Sequence, residues 1–242
     1  MRPVADRRPE GSDTHEQPLN AQEKRMEKPI DHYWQLRLEH LKTALEKNNF
    51  EVYLASRPED TARIVTEAIL PVIKPASMSW GGSRTFVECG LYRQLRTMEG
   101  VRVLDTYDTK ISDTEKMERR RQALLVDVFF TSTNAVTESG HLVNLDMIGN
   151  RIAALTFGPK FVVVLIGRNK IVPDLENAWD RIKNYAAPVN TMRLEKKTPC
   201  QATSFCQDCN SPDRICNTWT ITEKAFPKHR VKIILINADL GF

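Results

Sequence analysis

Four of the chain's five cysteines, Cys200, Cys206, Cys209 and Cys216, fall together near its C-terminal end. Four thiolates close a tetrahedral shell around zinc or hold an iron–sulfur cluster. The spacing is C-x5-C-x2-C-x6-C, so only Cys206 and Cys209 form the short knuckle in which neighbouring thiolates grip one ion. Lys196, Lys197 and Arg214 lie nearby in sequence and would offset the negative charge of such a site. Spacing does not separate zinc from iron–sulfur, and a loop of four free thiols stays open beside both. Two disulfides are disfavoured. Residues 1–26 are polar and charged, without the apolar core of a signal peptide, and Cys89 is left unpaired. A reducing, cytoplasmic setting is expected.

Three further groups carry possible chemistry. In Trp80-Gly81-Gly82-Ser83-Arg84-Thr85 a glycine pair precedes a helix start. Backbone amides can approach an anion there, the helix N-terminus adds positive potential, and the hydroxyls of Ser83 and Thr85 add donors. No Walker loop and no G-x-G-x-x-G is present, and a tight turn with Thr85 as N-cap is the plain alternative. Glu138, in Thr137-Glu138-Ser139-Gly140-His141-Leu142-Val143-Asn144, has the chemistry of a nucleophile, general base or ligand anchor, or of an ordinary turn acid. Asn144, Asp146, Asn150 and Asn169 put short polar groups at element ends, and Lys170 supplies a mobile cation. Together they describe a pocket better than isolated caps. No histidine stands at a recognisable catalytic spacing from a serine or cysteine, so a hydrolase triad is not supported.

Composition bounds the rest. At 242 residues with 41% hydrophobic content, the chain can bury a sizeable core. A net charge of +4 is too mild to imply nucleic acid. Arg119-Arg120-Arg121 follows Glu115 and Glu118 and reads as a solvated helix face. No apolar run approaches the roughly 20 residues that span a bilayer.

The elements that must position these groups are legible in outline. Residues 1–28 read as a disordered tail. Asp31 caps a helix to about Asn48, with Trp34, Leu38, Leu41 and Leu45 on one face. Phe50–Ala55 reads as a strand, and Ser56-x-x-Glu59 as a capping box opening a helix to Val72. A short strand, 77–80, leads into the glycine pair. Strands are also expected at 101–104, 126–131, 161–166 and 232–236, with helices opened by Thr85-x-x-Glu88 and Ser112-x-x-Glu115. Residues 135–144 form a hairpin turned at Ser139-Gly140. A short helix follows at 149–157, and another at 173–185 ends at Pro188. Strands separated by helices require crossovers. The fold class is therefore α/β, a mostly parallel sheet flanked by helices. It forms a single domain over 29–242 with one hydrophobic nucleus and a cysteine-rich loop at 198–217.

Read in order, Trp80-Gly81-Gly82-Ser83-x-Thr85, Thr137-Glu138-x-Gly140-x-Leu142-Val143-Asn144, Gly149-Asn150-Arg151, Phe157-Gly158-Pro159-Lys160 and Asn169-Lys170-Ile171-Val172 resemble the LUD domain family, which is associated with lactate utilisation. The segment Thr198-Pro199-Cys200 through Cys216-Asn217 is similar to the signature of its stand-alone members. The resemblance implies a fold akin to sugar-phosphate isomerases and coenzyme A transferases. It implies a pocket in which the glycine corner and the Glu138 turn face one cavity. It also implies a small anionic or nucleotide-like ligand, and a role with redox partner subunits in an L-lactate-oxidising system. In related transferases a glutamate in this hairpin forms the acyl intermediate, so an acyl or coenzyme A transferase using Glu138 is one alternative. A ligand-sensing subunit is another. Arg84 replaces an apolar residue common in the family and Ser139 an acid, and both changes favour an anionic ligand.

Overall fold

The computed structural model describes residues 21–242, with side chains from residue 29. The chain divides into two units, Met1–Tyr33 and Trp34–Phe242. Of the expected tail, residues 1–20 lie outside the described residues. The first helix runs Ala21–Lys47, so it starts before Asp31 and contains Pro29. Its Leu38, Leu41 and Leu45 are buried, as their spacing requires.

Among the described residues of the larger unit, six strands form an all-parallel sheet. Their order is β1 (Glu51–Ala55), β10 (Val231–Ile236), β7 (Phe161–Gly167), β4 (Val128–Ser132), β2 (Ser77–Trp80) and β3 (Arg102–Leu104). The central strands are apolar runs because both faces are covered. Val162, Val164 and Ile166 point into one core, and Val163 and Leu165 into the opposite one. A second sheet was not expected. It orders β8 (Ile171–Val172), β5 (Ala135–Thr137), β6 (Leu142–Asp146) and β9 (Thr218–Thr222). The expected hairpin is its antiparallel centre. β9 was missed because Thr218–Thr222 is only half-buried and lacks an apolar run. This small sheet has its own nucleus of Ala135, Val143, Leu145, Val172, Ala178 and Ile182, which corrects the expectation of a single one.

Three local expectations change. The helix after β1 begins at Asp60, and Glu59 stands at its N-cap without a side-chain cap; the Asp60 carboxylate accepts from Arg57 N instead of a Ser56 capping box. Ser83, not Thr85, caps Arg84–Glu88, accepting from Phe86 N at 3.1 Å. Pro188 does not end its helix. The helical path continues from Leu175–Arg181 through a wider π turn, Ile182–Ala186, into Ala187–Arg193. A π turn, Ile64–Ile69, likewise precedes Pro71. Widening the turn relieves the clash between the proline ring and the carbonyl four residues back. Ser112 caps its helix as expected, accepting from Glu115 N.

Chain order along the main sheet reverses between β2 and β4. β2 leads outward to β3, and β4 leads the other way to β7 and β10. In a parallel sheet the strand ends flanking such a reversal leave a crevice at their C-terminal side.

Candidate functional site

A cleft of about 650 Å³ occupies that crevice. Gly82, Ser83 and Arg84 follow β2, Thr106 and Tyr107 follow β3, and Ser132, Thr133 and Asn134 close β4. Asp146, Asn150 and Arg151 enter from the small sheet and the helix behind it, and Asn190, Arg193 and Lys196 from the opposite wall.

Lys170 forms part of the wall, in the turn that follows β7. It is not the mobile cation expected. The residue is 3% exposed, and its Nζ donates to Thr85 Oγ1 at 2.9 Å and to Ser132 Oγ at 2.8 Å. Among the described residues no carboxylate lies within ion-pair distance of it. Burial, then the charges of Arg181 and Arg151, pull its pKa down to about 7.

The glycine corner works differently from an amide cradle. Gly81 N donates to Phe130 O, and Ser83 N donates to Tyr107 Oη, which itself donates to Gly81 O. These amides are spent inside the protein. A side chain on Gly81 would meet Arg151 Cγ at 2.7 Å, so glycine is needed there for packing. Gly82 has nothing within 4 Å of a built Cβ. Thr85 is buried and serves Lys170.

Asp146 lines the cleft but is occupied. Its carboxylate accepts from the backbone of Met147, Arg151 and Ile152 and from Arg151 Nε at 3.4 Å. Asn144 is 2% exposed within β6 and lies off the cleft. Among the described residues its Nδ2 has no partner, and neither has the hydroxyl of Thr220, its cross-strand neighbour. Glu138 does not line the cleft either. Its carboxylate is bonded to Arg37, and its backbone N donates to Val172 O. The structure thus brings Gly82, Ser83, Asp146, Asn150 and Lys170 to one cavity and leaves Glu138 out. The cleft at the glycine corner does not include the Glu138 turn expected to share it, and the Glu138 carboxylate pairs with Arg37 instead.

Sequence reasoning missed Arg120, Arg151 and Arg193 as cleft residues. Arg120 sat in a run read as a solvated face. Its neighbours fit that reading, since Arg119 pairs with Asp108 and Glu115 and Arg121 with Glu118. Only helix phase turns Arg120 inward, and the sequence carries that signal weakly.

The four clustered cysteines are free thiols, and all line one small cavity of about 10 Å³. Lys183 and Arg214 border it, both bonded to Asp208. Arg214 also donates to the carbonyls of Cys209 and Cys216. Burial pushes the Cys216 thiol up, against the pull of Arg214 and Lys183. Among the described residues no group of three or more His, Cys, Asp or Glu side chains is placed to hold a metal ion. All four thiols nevertheless line the one cavity.

The LUD domain matches residues 38–236, most of the chain. The chain belongs to the LUD domain family. That places it in a family related to lactate utilisation, in agreement with the motifs that suggested it. A crystal structure of a DUF162 family protein from Deinococcus radiodurans is similar at 12% identity. The likeness covers 84% of this chain and 98% of that chain, with a TM-score of 0.41. No curated protein matches. No helix among the described residues of this LUD domain is long and apolar enough to cross a membrane.

Proposed function

We propose that this LUD domain binds a small polyanion in the cleft, acting as the ligand-binding component of an L-lactate-oxidising system with redox partner subunits in the cytoplasm. One observation carries the reading. Arg84, Arg120, Arg151, Lys170, Arg193 and Lys196 line the cleft, while Asp146 is its one lining acidic side chain among the described residues and is engaged by Arg151. Arg84 and Lys196 pair with Glu88 and Asp213 at the cleft's edge, so the excess positive potential comes chiefly from Arg120 and Arg193, which have no ion-pair partner among the described residues. Burial pushes the Arg193 guanidinium down, and the charge of Arg84 pushes it further. An anion between the two would relieve both. A volume of about 650 Å³ suits a nucleotide-sized ligand better than lactate alone. Family membership supports the lactate context.

Calorimetric titration with ATP, coenzyme A and L-lactate tests the reading. ATP or coenzyme A binds, and added salt weakens the binding. Arg193→Glu weakens it by roughly tenfold or more, equivalent to about 1.4 kcal/mol. Absence of binding by every polyanion tried would overturn it. A transferase role through Glu138 has no support from the cleft, because that carboxylate is paired outside it.

A further inference from the structure

The hydrogen bonds around Lys170 can be counted proton by proton. A serine or threonine hydroxyl has one proton to donate. Thr85 Oγ1 gives its proton to Leu240 O at 3.2 Å, and Ser132 Oγ gives its to Thr133 O at 3.2 Å. Both oxygens therefore accept from Lys170 Nζ. Two acceptors use two N–H protons. A neutral amine has two and keeps a lone pair in the remaining tetrahedral direction. An ammonium would hold a third proton with no partner among the described residues.

The surroundings favour the same state. Arg151 and Arg181 lie close enough to repel a positive charge, while Glu88 and Cys89 favour it only weakly. Thr85 comes from the helix after β2, Ser132 from the end of β4, and Gly241 packs against Thr85 and the lysine amine. A Cβ on Gly241 would stand 2.7 Å from Thr85 Oγ1 and 3.3 Å from Lys170 Nζ. The amine is held rigidly, desolvated, beside cations, and on the wall of a ligand-sized cleft. Lysines activated for carbonyl chemistry are made by desolvation and neighbouring positive charge.

We propose that Lys170 is an amine nucleophile that forms an imine with the carbonyl of a small 2-oxo acid bound in the cleft. The proposal rests on the anion-binding reading and names its substrate class. The Nζ lone pair forms the C–N bond, and the carbonyl π pair moves to oxygen. One Nζ proton passes to that oxygen through the Ser132 hydroxyl, which lines the cleft and turns from Thr133 O toward the substrate, giving a carbinolamine. The C–O bond then breaks, its electrons leaving with oxygen, which takes a proton from solvent and departs as water. The nitrogen keeps its second proton and carries the positive charge of the iminium. No oxidant is needed. The surrounding guanidinium groups offer the carboxylate its counter-charge.

Reductive trapping tests this. The full chain is incubated with glyoxylate or pyruvate and cyanoborohydride near neutral pH, and adducts are mapped by peptide mass spectrometry. The same preparation is titrated with ATP. Lys170 is expected to label roughly tenfold or more faster than exposed lysines, which stay protonated at that pH. Its labelling should fall as pH drops below about 7, and excess ATP should slow it. A protein that binds ATP but labels Lys170 no faster than exposed lysines overturns the imine and leaves the anion cleft standing. Selective labelling without ATP binding or protection supports the amine and overturns the polyanion reading. Neither labelling nor binding overturns both.

Discussion

The cleft and the cysteine cavity share a wall, and each buries a lysine, yet the two lysines are driven in opposite directions. Ile182, Ala186, Asn190 and Arg193 face the cleft, Lys183, Pro188 and Thr191 face the cavity, and Ala187 touches both. Lys170 is 3% exposed and Lys183 is 6%. Burial pulls both ammonium groups down. Lys183 donates to the Asp208 carboxylate at 2.8 Å, and that bond, with the thiols of Cys206 and Cys216, outweighs burial and raises it. Lys170 has only hydroxyls and falls to about 7. One carboxylate decides whether a buried lysine is a structural cation or a reactive amine.

The largest expected effect comes from erasing that difference. Ser132→Asp puts a carboxylate beside Lys170 and restores its charge. Trapping by a 2-oxo acid near neutral pH should then drop by roughly a thousandfold, the neutral fraction lost when a pKa near 7 returns to about 10.4. Unchanged trapping would show that amine basicity does not control the reaction.

A second effect is on stability. The folded pKa of Lys170 lies below its unfolded value, so between about 7 and 10.5 the unfolded chain binds the extra proton. This residue's contribution to stability therefore improves as pH rises through that window, and its penalty is full below it. Lys170→Met should stabilise the fold by about 1–3 kcal/mol at pH 6, with the gain shrinking as pH approaches 10. Urea melts at both pH values measure it. A gain independent of pH would contradict the assigned shift.

Asp208→Asn probes the other lysine. Removing the carboxylate leaves the Lys183 ammonium uncompensated, so the urea midpoint at pH 7 falls. Adding Lys183→Met removes the effect, the coupling expected of a direct pair. Asp208 is held below its usual value by Lys183 and Arg214, so its contribution is present above the ordinary carboxylate pKa and is lost as pH falls through the folded one. Equal destabilisation with and without Lys183 would refute the pairing.

The smallest effect is expected at the thiols. A chelator should leave the thermal midpoint unchanged, since the donors are not arranged around an ion. A clear drop, together with loss of zinc or iron in Cys206→Ser, would show that the four sulfurs regroup on a metal.

Much of the fold was legible in residue patterns. The strand at 77–80 and the Phe161 run are set by short apolar stretches bounded by turn residues, and the Ser112 cap is a local hydrogen bond with a local signature. Where a local signature competed with longer-range contacts, it misled. Thr85 had the spacing of a cap, but its hydroxyl lies between Lys170 and Leu240. Pro188 had the chemistry of a breaker, but a π turn absorbed it. β9 has no apolar run and exists through its pairing with β6.

The candidate site divides the same way. Its residue types were visible in the chain: the glycine pair, Asp146, Asn150 and Lys170. Alternating strands and helices already required their loops to gather at one rim of a parallel sheet. Packing alone decided that Glu138 pairs with Arg37 outside the cleft, that Arg120 and Arg193 face into it, and that Lys170 lies between two hydroxyls with no acid beside it. Hydrophobic periodicity and turn chemistry act over a few residues and are written in order along the chain. The charge state of a buried amine depends on what distant segments bring within a few ångströms of it, and no local pattern records that.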